Sequence, residues 1–218
     1  MHEIPLFPLN AVLFPGAPLQ LHIFEDRYKE MINRCVESEQ EFGVVLIKEG
    51  FEALGPLAVP HSIGCSARII HVQQLDQGRM NIVALGEERF RILTLDKHTH
   101  SYMVGEVDSF PLVNDPIDDF IQPLESLRSM LDRFIQGLLK AGGEKMDLYQ
   151  IPDDPVTLAY MAAALLQISP SQKQTLLSFE HVTDLIVQLQ GIYRRELAFL
   201  RVMLSRQVSE PEFPFSRN

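Results

Sequence analysis

Residues 1 to about 113 contain a series of short segments rich in apolar and β-branched residues, one of which, residues 19–23, alternates between apolar and polar positions, and this pattern predicts mostly β-strands. Turn residues at 76–78 and Gly86 separate neighbouring segments. Pro5 and Pro8 interrupt the first segment, which predicts an irregular or edge strand because proline donates no backbone hydrogen bond. The pattern predicts strands at residues 3–9, 19–23, 42–47, 64–73, 80–85, 89–95 and 102–110.

One segment in this part of the chain has a different period. Tyr28, Met31, Ile32 and Cys35 lie three or four positions apart, so residues 25–38 are predicted to form one amphipathic helix.

Because consecutive strands follow one another through short turns, the sequence favours an antiparallel meander. We expect this meander to curl into a barrel-like sheet, which removes exposed strand edges.

From Asn114 onward the spacing of apolar residues is helical. Start signals precede three segments: Asp115-Pro116, Asp154-Pro155, and Ser169 with Gln172 three positions later, which resembles a capping box. Pro123 predicts that the first helix either kinks or begins there. The predicted helices cover residues 117–138 (ended by Gly142-Gly143), 156–168, a short segment from Ser169, and 182–206.

The two periods together predict the α+β class. An antiparallel β pseudo-barrel with one helix is expected at residues 1–113, and a helical bundle ending in a long helix at residues 114–206. Residues 207–218 are polar with two prolines and are expected to form a flexible tail.

Charge and composition narrow the classes of partner. The chain has 218 residues, 46% of them hydrophobic, and a formal net charge of −10. An acidic chain is poorly suited to neutralising phosphates, so we expect no nucleic-acid partner. Only two cysteines are present, which favours a reduced, cytoplasmic compartment over a disulfide framework. No apolar run is long enough to span a bilayer and no signal peptide is recognisable, so no membrane partner is expected.

The signatures of several enzyme classes are missing. The chain contains no Gly-Lys dipeptide, so the phosphate loop of P-loop ATPases is absent, and so are the GxGxxG, GxSxG and HExxH motifs. Spacing alone leaves open a Ser-Lys or Cys-His pair that meets only in the folded chain. Cys35 lies on the apolar helix stripe, where a small core residue is expected. We predict no catalytic residue, no enzyme activity and no cofactor.

Several polar residues have a chemical and a structural interpretation. His98 and His100 have a spacing that suits a metal, but the polar residues around them favour a hairpin tip, and no metal site is predicted. His22 alternates with apolar residues and is expected to be partly buried with a hydrogen-bond partner. The charge run at 87–89 is expected to be solvated.

The opening of the chain resembles the N-terminal, substrate-binding domain of the Lon family of ATP-dependent proteases. The residues that carry the resemblance are 4–9 (IPLFPL), 12–16 (VLFPG) and 19–25 (LQLHIFE), with Arg27 and Tyr28. Residues 42–47 and 63–67 follow the same pattern, and the helical part follows it more loosely. Gln20 stands where the family commonly has proline, and residues 76–79 depart from its usual turn. Because the sequence contains neither an ATPase module nor a Ser-Lys peptidase module, it resembles a stand-alone Lon N-terminal domain protein.

The resemblance implies both a fold and a role. The implied fold is a PUA-like pseudo-barrel followed by a helical bundle. The implied role is recognition of unfolded or degron-bearing protein segments, independent of ATP. A separate protease or chaperone is a further partner that the resemblance implies. Phe7, Phe14 and Phe24 are the candidate peptide-binding residues, although phenylalanine is more often part of a core.

Other functions stay open at this point. A PUA-like barrel could bind RNA if a basic cleft exists, and a hydrolase could use a site that no motif reveals. A homodimer could form through the long helix or a strand edge. The sequence does not decide between these possibilities.

Overall fold

The computed structural model describes residues 1–52, 58–114, 116, 121–142 and 150–208. Six strands are present: β1 (His2–Leu9), β2 (Pro18–Ile23), β3 (Phe42–Glu49), β4 (Val59–Gln74), β5 (Met80–Asp96) and β6 (Met103–Ser109). Helix α1 (Asp26–Glu37) lies between β2 and β3. Four helices follow the sheet: α2 (Ile121–Gly142), α3 (Pro155–Leu165), α4 (Pro170–Leu177) and α5 (Val182–Val208). The chain therefore has the predicted α+β class.

The sheet is a pseudo-barrel, not a regular barrel. Its strand order is β2-β5-β4-β3-β1-β6, and β6 also pairs with β5. Five strands thus form a closed cycle, while β2 lies outside it and is paired with β5 alone among the described strands. The strands from β3 to β6 follow one another as the predicted antiparallel meander. One pair departs from it, since β1 runs parallel to β3, which the long connection through β2 and α1 permits.

Of the two alternatives predicted for β1, an irregular strand or an edge strand, the edge strand is wrong, because β1 lies between β3 and β6. The register explains how Pro5 and Pro8 are accommodated. β6 pairs with residues 2–6 and β3 with residues 6–9. Successive backbone N–H groups point to opposite edges of a strand, so the backbone nitrogens of residues 5 and 8 face opposite edges of β1. Each proline nitrogen can therefore point to the edge of β1 that has no partner strand at that residue. This is the β3 side at Pro5 and the β6 side at Pro8.

The predicted turn at Gly86 is also absent, because β5 runs without interruption past this residue. Gly86 instead meets the loop between β1 and β2: Gly16 N donates to Gly86 O at 2.8 Å, and Gly86 N donates to Ala17 O at 3.0 Å. A Cβ atom at Gly86 would overlap the carbonyl oxygen of Phe14. The glycine therefore serves the close approach of two backbone segments.

Helices α3 and α4 begin at the start signals that the sequence predicts. Asp154 caps α3, accepting a hydrogen bond from Thr157 N at 2.8 Å, and Ser169 and Gln172 form the predicted capping box of α4. Helix α3 ends at Leu165, three residues before the predicted end. The start signal at Asp115, residues 117–120, Gly143 and most of the expected tail lie outside the described residues. None of the described helices combines the length and apolar composition that crossing a membrane requires.

Arg89 contradicts the prediction of a solvated charge run. Its side chain is only 2% exposed, and its Nη1 donates to the carbonyl oxygens of Leu177 at 2.6 Å and Phe179 at 2.7 Å. The guanidinium carbon lies 4.7 Å from the centre of the Phe110 ring. Burial lowers the pKa of Arg89 from its usual value. The residue links β5 to the end of α4, whose last carbonyl groups have no partner within the helix.

We expect Gly86→Ala to lower the free energy of unfolding by about 1–3 kcal/mol, because the methyl group forces the 14–17 loop away from β5. Gly191→Ala is the matched control: no atom lies within 4 Å of an added Cβ there. Since alanine favours helix over glycine, this control should be neutral or stabilising by about 0.5–1 kcal/mol. Urea unfolding measures both variants, and equal stability of the two would contradict the role given to Gly86.

Candidate functional site

A cleft of about 140 Å³ lies where β2 passes into α1. Phe7 of β1 contributes to its floor and is 6% exposed, whereas Phe24 is 45% exposed and lies at the rim. Residues 20–25 all line the cleft. Side chains alternate between the two faces of a strand, so an uninterrupted run of lining residues indicates that the cleft follows an edge of β2. We call it the β2 cleft.

The floor of the β2 cleft is aromatic and rigid. The Phe7 ring stacks on the Tyr28 ring, with centroids 4.1 Å apart and planes at 16°. Burial raises the pKa of Tyr28 to about 12, so its phenol is neutral at physiological pH. The Arg27 guanidinium lies 4.7 Å from the Tyr28 ring centre and forms an ion pair of 2.9 Å with Glu25. An apolar side chain entering the cleft would meet an aromatic surface with charged groups beside it.

The three candidate phenylalanines therefore have different surroundings. Phe14 is 1% exposed and belongs to the hydrophobic core of the helical part, where it joins the β1–β2 loop to the helices. Phe7 is a core residue that also reaches the cleft floor. Phe24 is the one of the three with a substantially exposed ring, and it stacks on His22 at 6.0 Å. Their role in peptide binding stays a prediction.

A second cleft, of about 510 Å³, crosses the face formed by β2, β5 and β4. Leu21, Ile82 and Val83 line it beside a cluster of polar side chains. In that cluster His22 Nδ1 lies 2.7 Å from Asn81 Oδ1, and Asn81 donates to Gln73 Oε1 at 3.1 Å. His22 is exposed, which differs from its predicted partial burial, although it has the expected hydrogen-bond partner. No group of three or more His, Cys, Asp or Glu residues in the described part of the chain is arranged to hold a metal ion.

The His98 and His100 segment forms the tip expected from its polar surroundings. The Asp96 carboxylate accepts hydrogen bonds from His98 N at 2.8 Å and Thr99 N at 3.2 Å. Hydrogen bonds to this turn lower the pKa of Asp96 to about 2. The His100 ring stacks on Tyr102 with centroids 5.1 Å apart. The carboxylate thus organises a turn, and the His100 ring packs against the sheet.

A third groove, of about 420 Å³, lies between the end of α1 and β4. We call it the β4 groove. Val36 and Ile70 line it and are 44% and 51% exposed. Sequence reasoning missed both residues. Ile70 lies where the register between β4 and β5 shifts, between Ile69 and His71, so its exposure depends on a local irregularity of the strand that the sequence pattern does not reveal.

Neither cysteine has the properties of a nucleophile. Cys35 is buried on α1 as predicted, and burial raises the pKa of its thiol to about 11. Cys65 is fully buried, and burial raises its thiol pKa further. Since the thiolate is the reactive form, both side chains are held in the unreactive state.

We expect Cys35 in the folded protein to react with a thiol reagent about a hundredfold more slowly than an exposed cysteine at pH 8, because its pKa lies about two units above the ordinary 9.0. Cys65→Ser isolates the Cys35 signal and Cys35→Ser isolates that of Cys65. Reaction after denaturation is the control. Labelling of either native thiol at the rate of an exposed cysteine would contradict these surroundings.

Comparison with known proteins adds a family match. A family model described as the ATP-dependent protease La (LON) substrate-binding domain matches residues 3–194. The Lon protease of Paraburkholderia phytofirmans is 27% identical over 204 residues, which cover 92% of this chain and 25% of that protein. The Lon protease of Escherichia coli K12 is 22% identical over 202 residues, with 92% and 26% covered. The chain spans about a quarter of the length of these relatives.

Two solved structures share the fold. A Lon N-terminal domain protein from Xanthomonas campestris superposes with a TM-score of 0.66 at 27% identity, covering 88% of this chain and 98% of that chain. The N-terminal domain of a Mycobacterium avium complex Lon protease superposes with a TM-score of 0.65 at 17% identity and the same coverage. The second likeness concerns the fold alone.

Proposed function

We propose that this chain, which belongs to the family of substrate-binding domains of the ATP-dependent protease La (Lon), is a non-catalytic module that binds extended segments of other proteins. The observation that carries the proposal is the β2 cleft. It combines an aromatic floor, an exposed aromatic ring at its rim, and a strand edge that no described strand covers. Peptide recognition by strand addition uses such a combination of backbone groups and side-chain pockets.

The unpaired edge of β2 supplies the affinity in this proposal. Along an unpaired edge, backbone N–H and C=O groups are available to an incoming segment, whatever its sequence. Phe24 and the Phe7–Tyr28 pair supply selectivity for apolar side chains. This division of roles suits a module that must accept many unfolded segments.

The chemistry of the described clefts favours binding over catalysis. The family is that of a substrate-binding part of Lon, and the two thiols are held protonated. We propose no enzyme activity for this chain and no cofactor. A separate protease or chaperone as a working partner, a cytoplasmic location and a homodimer all stay predictions from the sequence.

RNA binding is the weaker alternative. The net charge is −10, and the large cleft on the face of the sheet has no lysine or arginine in its lining. RNA recognition relies on basic groups for its phosphates. One described cleft, between α2 and α5, is basic: Arg133, Lys140 and Arg201 line it without an acidic residue. Its lining contains no aromatic ring on which a base could stack, so RNA binding stays the weaker alternative.

We expect Phe24→Ala to raise the dissociation constant for a fluorescein-labelled, permanently unfolded protein about three- to tenfold, because it removes the exposed ring at the rim of the cleft. Fluorescence anisotropy without nucleotide measures the binding. Thermal unfolding should change little, since the ring is 45% exposed.

Phe199→Ala is the matched control, because Phe199 is an exposed phenylalanine on α5, 64% accessible to solvent. It should bind like the unchanged chain. If the unchanged chain does not bind the unfolded protein at all, the proposed function is wrong. If it binds and Phe24→Ala binds equally well, the β2 cleft is not the site.

A further inference from the structure

Strand β4 is covered on one side for only half of its length. β3 pairs with β4 from residue 59 to Ala67, where β3 ends at Phe42. β5 continues along the other side of β4 to Gln74. Among the described residues, no strand pairs with the second edge of residues 68–74, and no hydrogen bond from a loop reaches their backbone on that side. This edge of β4 is open.

The open edge faces the β4 groove because the chain changes direction there. Before β3 begins, residues 38–41 lead from α1, and Glu39 adopts a left-handed backbone conformation with a φ of 51°. The end of α1 therefore lies where an extension of β3 would otherwise run. Between them remains a groove of about 420 Å³, within the range of ligand-binding clefts.

The groove offers apolar surface and negative charge together. Val36 on α1 and Ile70 on β4 face it with large exposed fractions. Of the charged residues that line it, Arg68 is already paired with Glu87 at 2.7 Å, whereas Glu39 forms no ion pair within the described part of the chain. The C-terminus of α1 adds partial negative charge at the same place.

We propose that an extended protein segment adds to β4 along residues 68–74 as a further strand, with an apolar side chain between Val36 and Ile70 and a basic side chain beside Glu39. This inference rests on the proposed function and adds a second place and a mode of binding. The unpaired backbone groups favour an extended partner, and Glu39, with Arg68 already paired to Glu87, favours a basic side chain beside it. The chain's own residues 209–218 suit the site poorly, because Pro211 and Pro214 cannot donate hydrogen bonds.

The first test separates strand addition from simple apolar adhesion. The probe is a fluorescein-labelled peptide that alternates valine and serine and carries one arginine. Two further versions are N-methylated at every second amide, in opposite phases. Only every second amide of an added strand faces its neighbour, so one version should bind like the parent while the other loses at least about tenfold in affinity. Equal binding of both versions would overturn strand addition.

The second test locates the segment. Ile70→Asp should weaken binding of the parent peptide at least about tenfold, because it places a carboxylate beside an apolar side chain. Leu93→Asp is the matched control, since Leu93 is an exposed apolar residue elsewhere on the sheet, 44% accessible. Hydrogen–deuterium exchange should show protection of residues 68–74 when the peptide is bound. Thermal unfolding of both variants checks that they fold.

The outcomes distinguish this inference from the proposed function. If the unfolded protein binds but the peptide protects only residues 18–23, or Ile70→Asp binds normally, the β4 site is wrong and the proposed function stands. If neither the unfolded protein nor the peptide binds, both fail. If residues 68–74 are protected without peptide and the chain sediments as a dimer, a second copy occupies the edge and the inference is overturned.

Discussion

The buried guanidinium of Arg89 is the interaction on which the arrangement of sheet and helices depends. It binds the carbonyl oxygens of Leu177, the last residue of α4, and of Phe179, two residues further along the chain. Two weaker links act at the same junction: Gln174 donates to Ile63 O, and Arg91 pairs with Glu180. A cation buried without a carboxylate in contact is costly. Nη1 has both carbonyl partners, whereas Nε and Nη2 are buried without a hydrogen-bond partner among the described residues. The two bonds of Nη1 and the Phe110 ring, 4.7 Å from the guanidinium carbon, therefore hold the charge at this junction.

A fixed junction matters because the two candidate binding surfaces are incomplete edges of the sheet. β2 is paired on one side, and β4 is covered by β3 only as far as Ala67. Open edges favour aggregation unless they are short, charged, bulged or covered. The edges here are short, six residues in β2 and seven in the open part of β4, and β1 and β3 to β6 form a closed cycle. A module that binds extended segments can then expose backbone groups without exchanging its own strands.

The sequence was informative where a local signal determined the structure. The α1 stripe, the capping of α3 and α4 and the meander from β3 to β6 all follow from spacing and turn residues. It failed where a distant contact decided the outcome. In the sequence Gly86 indicates a turn, but in the structure the β1–β2 loop packs against it. Arg89 indicates a solvated charge run in the sequence, but in the structure the end of α4 covers it. For the candidate site, Phe24 was found because phenylalanine is a conspicuous residue, whereas Val36 and Ile70 resemble core residues in sequence.

The most direct test of this account is hydrogen–deuterium exchange in increasing urea, comparing the unchanged chain with Arg89→Ala. We predict that sheet and helices lose protection together in the unchanged chain. In Arg89→Ala, the helical part should lose protection at a lower urea concentration than the sheet. The carbonyl groups of Leu177, which is buried, and of Phe179, which is partly buried, then lose their donor, at a cost of about 1–3 kcal/mol for the buried one and less for the other. Joint loss of protection at an unchanged urea concentration in Arg89→Ala would contradict the central role given to this residue.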